Sequence, residues 1–209
     1  MTILFMGTPD FAVPSLEALI AAGHTICGVF TQPDRPKNRG HKLAFSPVKE
    51  YALSQGLSVY QPTKMRDGTA LALVRELHPE LIVVAAYGRI LPEDILNTPP
   101  YGSINVHSSL LPKYRGAAPI QWAVIDGEKE SGITTMQMDE GLDTGDMLLK
   151  KVIPLEKEET GGSLFDKLSA AGAELLLATL TALEKGTVTP EKQGESPTAY
   201  AKMLTKEMG

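Results

Sequence analysis

The sequence predicts an α/β fold: a doubly wound, mostly parallel sheet with an antiparallel hairpin near its C-terminal part. Three observations lead there. Short apolar runs alternate with segments of helical period from Thr2 to Ile125. The run Leu81-Ile-Val-Val-Ala-Ala86 is unbroken, as in a strand covered on both faces. After Gly132 two strand-like runs, Ile133 to Met138 and Met147 to Ile153, flank the turn-rich stretch Asp139-Glu-Gly-Leu-Asp-Thr-Gly-Asp146.

Thr2 to Met6 is an apolar run ended by Gly7, and Phe11 to Ala22 carries apolar residues at helical spacing before Gly23. His24 to Phe30 follows as a second strand, rich in Ile and Val. Ser46 and Pro47 open a helix as N-cap and first helical residue, because the Ser oxygen can take a free N–H and Pro has none to lose. That helix ends near Gly56 and leads to a short strand at Ser58 to Tyr60. Asp67 is placed to cap a helix running to Leu77. Ser103 to His107 is a strand, Ser108 to Gly116 a polar loop, and Pro119 to Ile125 a helix. Ser163 is the expected cap of a long helix with the stripe Leu164, Leu168, Ala171, Leu175 and Leu183, closed by Gly186. Polar residues from Thr187 to Pro197 form the one linker candidate, so a single large domain is expected.

Composition narrows the function. The chain has 209 residues, 43% of them hydrophobic, enough to fill a sizeable core. Its apolar runs are far shorter than the roughly 20 residues that span a bilayer, and Met1 leads directly into a strand, so a cytosolic protein without a membrane partner is expected. A monomer is the expected state, although no feature of the sequence reveals it. Cys27 is the single cysteine, which excludes an internal disulfide and reads as a small buried hydrophobe. A net charge of −5 argues against a surface that coats nucleic acid generally. One basic stretch stands out: Arg35, Lys37, Arg39, His41 and Lys42, in a Pro- and Gly-punctuated segment without a period, expected to be an exposed loop.

The nucleotide-binding fingerprints fail. No two of the 19 glycines are spaced G-x-G and no G-x-x-x-x-G-K occurs, which argues against a dehydrogenase or a P-loop enzyme. The turn Gly7-Thr8-Pro9-Asp10 can receive a polar group at a helix start or be purely structural. Asn105 and His107 lie two apart on a strand and share a face at its carboxyl end, where a doubly wound sheet places its site. Neither HExxH nor a Cys/His pair with metal spacing accompanies His107, so no metal is expected. Asp143 follows another strand in a Gly-flanked loop and can reach the same crevice to orient the imidazole. Asp139, Asp143 and Asp146 miss the spacing of a calcium loop.

The run Ser103-Ile-Asn-Val-His-Ser-Ser-Leu-Leu-Pro-Lys-Tyr-Arg-Gly-Ala-Ala-Pro-Ile-Gln121 resembles the N-x-H-x-S-L-L-P signature of the folate-dependent formyltransferases. Met136 to Met147 is similar to the same family's second signature, and Phe5 to Phe11 with Phe30 to Arg35 resembles the members that act on methionyl-tRNA. The resemblance covers essentially the whole chain. It implies the Rossmann-like formyltransferase fold, a catalytic trio of Asn105, His107 and Asp143, and 10-formyltetrahydrofolate as formyl donor. Ser109, Leu110, Leu111 and Pro112 match the segment that holds the folate. Ala86, Tyr87, Gly88 and Ile90, with Gln137, Asp139 and Gly141, match the lining of the pterin pocket. The basic stretch matches an inserted loop that contacts the acceptor end of tRNA, which makes initiator methionyl-tRNA the expected partner in translation initiation. The resemblance also implies a catalytic domain over 1–189 and, over 190–209, the start of a linker to an OB-like domain. Relatives that formylate glycinamide ribonucleotide or amino sugars share the trio, so a small amine is the alternative acceptor. A non-catalytic folate- or RNA-binding module is the alternative of a different class.

Overall fold

The computed structural model describes residues 1–37, 40 and 42–208, and the chain divides into two compact units, Met1–Asn105 and Val106–Gly209. In the first unit, β1 (Thr2–Gly7) leads through a 3-10 turn at Asp10–Ala12 into α1 (Val13–Ala21) and β2 (Thr25–Phe30). Then come β3 (Arg35–Pro36), β4 (Leu43–Ala44), α2 (Pro47–Ser54), β5 (Val59–Tyr60) and α3 (Thr69–Leu77). β6 (Leu81–Ala85), α4 (Glu93–Leu96) and β7 (Ser103–His107) complete the series, the last two residues of β7 belonging to the second unit. The main strands lie in the order β5-β2-β1-β6-β7, and each neighbouring pair is parallel.

From β1 the chain winds outward to β2 and β5, then returns to β6 on the other side of β1. The order therefore reverses between β1 and β6, and ligands of such sheets bind beyond the carboxyl ends of the strands at that point. Ile3 to Met6 pair in register with Leu81 to Val84, and all of these side chains are buried. Each contributes about 1.5–3 kcal/mol of apolar burial. This explains why Leu81 to Ala86 carries no polar alternation. Gly7 is required where β1 turns into the first helix: a Cβ there would lie 2.8 Å from both the Ala12 Cβ and the Ala85 carbonyl oxygen.

The expected cap at Ser46 is formed, its hydroxyl accepting from the Lys49 N–H at 3.0 Å with Pro47 at the first helical position. Before α3 the cap residue is Gly68, in the left-handed region at φ 90°, one position after the expected Asp67. Asp67 still helps, since its carboxylate accepts from the Thr69 N–H at 3.0 Å. The basic stretch is not wholly irregular, because β3 and β4 pair as a two-residue antiparallel ribbon. Strands that short show no period in sequence.

In the second unit, the end of β7 is followed by α5 (Pro119–Ile125), β8 (Glu130–Gln137), β9 (Met147–Pro154) and α6 (Gly161–Lys185). β8 lies between β7 and β9, and β8 and β9 form the expected antiparallel hairpin. α6 packs on both strands of the hairpin. Its buried face includes Leu164, Leu168, Ala171 and Leu175, as the stripe requires, whereas Leu183 is not part of it. The tail does not trail away from this unit: Glu191 and Met147 exchange two backbone hydrogen bonds, of 2.8 and 2.9 Å, and Ala201 bridges to Gly116. Among the described residues no helix is long and apolar enough to cross a membrane.

The long helix starts earlier than its sequence suggests. Thr160 is the N-cap and Ser163 stands three residues inside, and the two form a capping box. The Thr160 hydroxyl accepts from the Ser163 N–H and the Ser163 hydroxyl accepts from the Thr160 N–H, both at 3.0 Å. Thr160→Ala is expected to lower stability by about 1 kcal/mol, measured by urea unfolding. An unchanged midpoint would mean that solvent caps this helix equally well.

Candidate active site

In the first unit, the segment after β6 is stitched to the ends of β1 and β2. The Thr8 hydroxyl donates to the Tyr87 carbonyl at 2.9 Å, and the Gln32 amide donates to the Gly88 carbonyl at 2.8 Å. Arg89 joins them, its Nε donating to Gln32 Oε1 at 2.9 Å and one Nη to the Thr63 carbonyl at 3.0 Å. Ala86 and Gly88 both have positive φ, 49° and 84°. The Tyr87 ring is buried, with its hydroxyl 3.8 Å from the Met65 sulfur, and burial pushes its pKa up to about 12. Ile90 is 67% exposed. The Gly7 to Asp10 turn thus spends its Thr8 hydroxyl on holding this segment. Asn105, half-buried at the end of this unit, stands opposite Val84 in the parallel register.

Of the basic residues, Arg35, Lys37 and Lys42 are exposed on or beside the β3–β4 ribbon, and the Lys37 N–H donates to the Lys42 carbonyl at 2.8 Å. Arg39 and His41 lie outside the described residues. Leu43 and Phe45 are exposed next to them. Lys49, which no motif marks, reaches back over the Phe45 ring at 3.8 Å from its centroid and pairs with Asp34 at 2.9 Å.

In the second unit His107 is only 6% exposed, so its ring must be satisfied from within. Nε2 lies 2.9 Å from the Tyr114 carbonyl oxygen. A carbonyl can only accept, so Nε2 carries hydrogen and Nδ1 is the edge left for chemistry. Nδ1 faces Asp143 Oδ1 at 3.7 Å, longer than a hydrogen bond. The other carboxylate oxygen, Oδ2, accepts from the Gly116 N–H at 2.9 Å. Tyr114 and Asp143 both occupy the left-handed region, at φ 54° and 56°. Three of the four non-glycine residues with positive φ among those described, Ala86, Tyr114 and Asp143, therefore fall in or beside the expected site segments. Such conformations cost about 1–3 kcal/mol and persist where surrounding contacts hold them.

The segment matched to folate binding is well anchored. Ser109 is fully buried, its hydroxyl donating to the Lys113 carbonyl at 2.6 Å. The Thr134 hydroxyl donates to the Ser109 carbonyl at 2.7 Å and accepts from the Leu111 N–H at 3.1 Å. Leu111 packs with Met136 and Met147. Leu110 and Pro112 line an open depression of about 310 Å³ together with Lys113, Tyr114, Glu130, Ser131 and Pro197. Of the β8–β9 loop, Gln137 is half-buried and Asp139 and Gly141 are exposed. Asp139 shapes the loop itself, accepting from the Gly141 N–H at 2.9 Å and the Thr144 hydroxyl at 2.8 Å.

Sequence reasoning overlooked Tyr114. Its ring is buried, and its hydroxyl lies 2.7 Å from Asp126 and 2.8 Å from Glu128. Burial first, and then the two carboxylates, hold the phenol far above its ordinary pKa. The side chain thereby anchors the backbone carbonyl that faces His107. The signal was present, since Tyr114 stands inside the quoted motif, but it carried no recognisable role.

Residues 1–180 match the protein family described as formyl transferase. Over its whole length the chain is 56% identical to a methionyl-tRNA formyltransferase of Lachnospira eligens, of which it covers 66%. It is 58% identical to one of Caldanaerobacter subterraneus subsp. tengcongensis, of which it covers 68%. The chain thus spans about two thirds of the length of these relatives. An N-formyltransferase from Helicobacter canadensis, solved with folinic acid and dTDP-3-aminofucose, has the same fold. The TM-score is 0.74 at 21% identity, covering 99% of this chain and 71% of that one.

Tyr114→Phe leaves Asp126 and Glu128 without their shared donor and is expected to cost roughly 1–3 kcal/mol, read as a lower midpoint in urea. Stability equal to the parent would show that Lys113 and solvent satisfy both carboxylates without the phenol.

Proposed function

The chain belongs to the formyl transferase family, and we propose that it moves a formyl group from 10-formyltetrahydrofolate to the free amine of initiator methionyl-tRNA. The observation that carries this reading is the buried imidazole of His107, with Nε2 committed to the Tyr114 carbonyl and Nδ1 turned to Asp143. Identity of 56% and 58% to methionyl-tRNA formyltransferases over the full chain favours that acceptor.

Formyl transfer needs a neutral amine at the formyl carbon, donors for the carbonyl oxygen as it gains negative charge, and a path for the amine's proton. The new bond joins the amine nitrogen to the formyl carbon, the bond to N10 of the folate breaks, and the proton lost by the amine ends on N10. Asn105 and His107 share a strand face, so both side chains can donate to one oxygen. His107 donates from Nδ1, because its other nitrogen is taken. Asp143 stabilises the imidazolium and takes the amine's proton, directly or through a water. No covalent bond to the enzyme is needed.

Ser109, Leu110, Leu111 and Pro112 hold the folate on this reading. Ala86, Tyr87, Gly88 and Ile90 bind the pterin with Gln137, Asp139 and Gly141, largely through backbone groups in the case of Tyr87, whose ring is buried. Arg35, Lys37 and Lys42, with Arg39 and His41, contact phosphates at the acceptor end. With a net charge of −5 over the whole chain unfavourable to RNA, that contact is local and weakens as salt rises.

His107→Ala and Asp143→Ala should each lower turnover of methionyl-tRNA by ~10²-fold or more at saturating donor, while tetrahydrofolate still binds. Near-full turnover in either variant would remove that residue from the mechanism.

A further inference from the structure

Asp143 is held from two sides. Its carboxylate is fixed by the Gly116 N–H, and its own backbone carbonyl accepts from the side-chain amide of Gln193, 50 residues later, at 2.9 Å. The same Nε2 donates to the Gly145 carbonyl at 2.8 Å. At its other end, Gln193 Oε1 accepts from Arg115 Nε at 3.1 Å and Nη2 at 3.0 Å, and Arg115 also donates to the Gly194 carbonyl at 3.0 Å. One half-buried amide therefore uses both N–H groups on the Asp143 loop and its oxygen on the loop that follows His107.

The chemistry of the partners selects this residue type. Two carbonyls need two donors and a guanidinium needs an acceptor; a primary amide supplies all of these, whereas a carboxylate has no donor, an ammonium no acceptor and a hydroxyl only one donor. Its reach is set by the backbone on either side. Glu191 pairs with Met147, and the Ala201 N–H donates to the Arg115 carbonyl at 2.7 Å while its own carbonyl accepts from the Ala117 and Ala118 N–H groups at 2.9 and 3.0 Å. Gly116 lies in this clamp at φ 117°, and a Cβ there would come within 2.9 Å of the Ala201 carbonyl.

What needs holding is the backbone of Asp143 itself. At φ 56° it lies in the left-handed region, which a short polar side chain such as Asp tolerates but does not by itself fix, and a change there would swing the carboxylate away from Nδ1 of His107. We propose that Gln193 is a positioning residue for formyl transfer, its amide locking the left-handed Asp143 so that the carboxylate keeps facing His107. This rests on the role given to Asp143 above.

The test is a double-mutant cycle on this chain between Gln193 and Asp143, with initial rates of methionyl-tRNA formylation and folded fraction measured for each variant. Gln193→Ala should lower kcat per folded molecule by ~10-fold or more, with KM for the folate donor within about 2-fold. In the Asp143→Ala background the same change should have almost no further effect, because nothing remains to be positioned. Gln193→Glu keeps the shape and the acceptor for Arg115 but turns oxygen toward two carbonyls, and should be at least as impaired. If Asp143→Ala is inactive while both Gln193 variants retain the parental kcat, this inference fails and the reading of Asp143 stands. Fully additive losses in the double variant also overturn it, since they indicate general loosening. If Asp143→Ala is itself active, both fail together.

Discussion

A backbone carbonyl has no proton to give, so the 2.9 Å approach of the Tyr114 oxygen to His107 Nε2 decides which edge of the ring is left to act. Much of the second unit can be understood as maintaining that approach. The left-handed backbone of Tyr114 aims the carbonyl, its buried phenol is tethered to Asp126 and Glu128, and its N–H donates to the Thr198 hydroxyl at 2.8 Å. The loop between β7 and α5 is thus fixed by side chain and backbone at one residue. With Nε2 occupied, Asp143 faces the remaining ring nitrogen, Nδ1, at 3.7 Å, longer than a hydrogen bond.

The sheet supplies the other half of the constraint. Parallel pairing of β1 with β6 buries two apolar strands completely and brings the carboxyl ends of both to the point where strand order reverses. The turns that leave those ends need unusual backbone: a glycine at position 7 where a Cβ would strike Ala12 and Ala85, and left-handed Ala86 just after β6. Thr8 and Gln32 hold the second turn by hydrogen-bonding its carbonyls. The stable interior and the polar loops are therefore consequences of the same strand order.

How much of this the sequence disclosed depended on the range of the interactions. Leu81 to Ala85 and the Ser46-Pro47 cap were readable because burial on both faces and a cap each leave a local pattern. So was the strand Ser103–His107, in which Ile104 and Val106 alternate with polar residues. Thr160 escaped because the two glycines after it disguise the helix start, and Ser163 looked like the cap from which it is displaced by three residues. The bonds by which Asp139 shapes its own loop, to the Gly141 N–H and the Thr144 hydroxyl, carried no signal that the sequence reading used. Gln193 was invisible, since its bonds to Asp143, Gly145 and Arg115 join residues about 50 to 80 positions apart within a stretch whose composition suggests a linker.

On the proposed function, the trio of Asn105, His107 and Asp143 by itself does not choose the amine. A helix-sheet scaffold shared with the N-formyltransferase from Helicobacter canadensis at a TM-score of 0.74 carries fold information only. On the proposed function the choice falls to the cations exposed on or beside the β3–β4 ribbon, with Leu43 and Phe45 next to them, in a chain that is otherwise acidic. The most direct test is a formylation assay with 10-formyltetrahydrofolate at low salt, offering charged initiator methionyl-tRNA and glycinamide ribonucleotide in parallel. Formyl product on the methionyl-tRNA alone is the expected result. Product on glycinamide ribonucleotide with methionyl-tRNA unchanged would contradict the account.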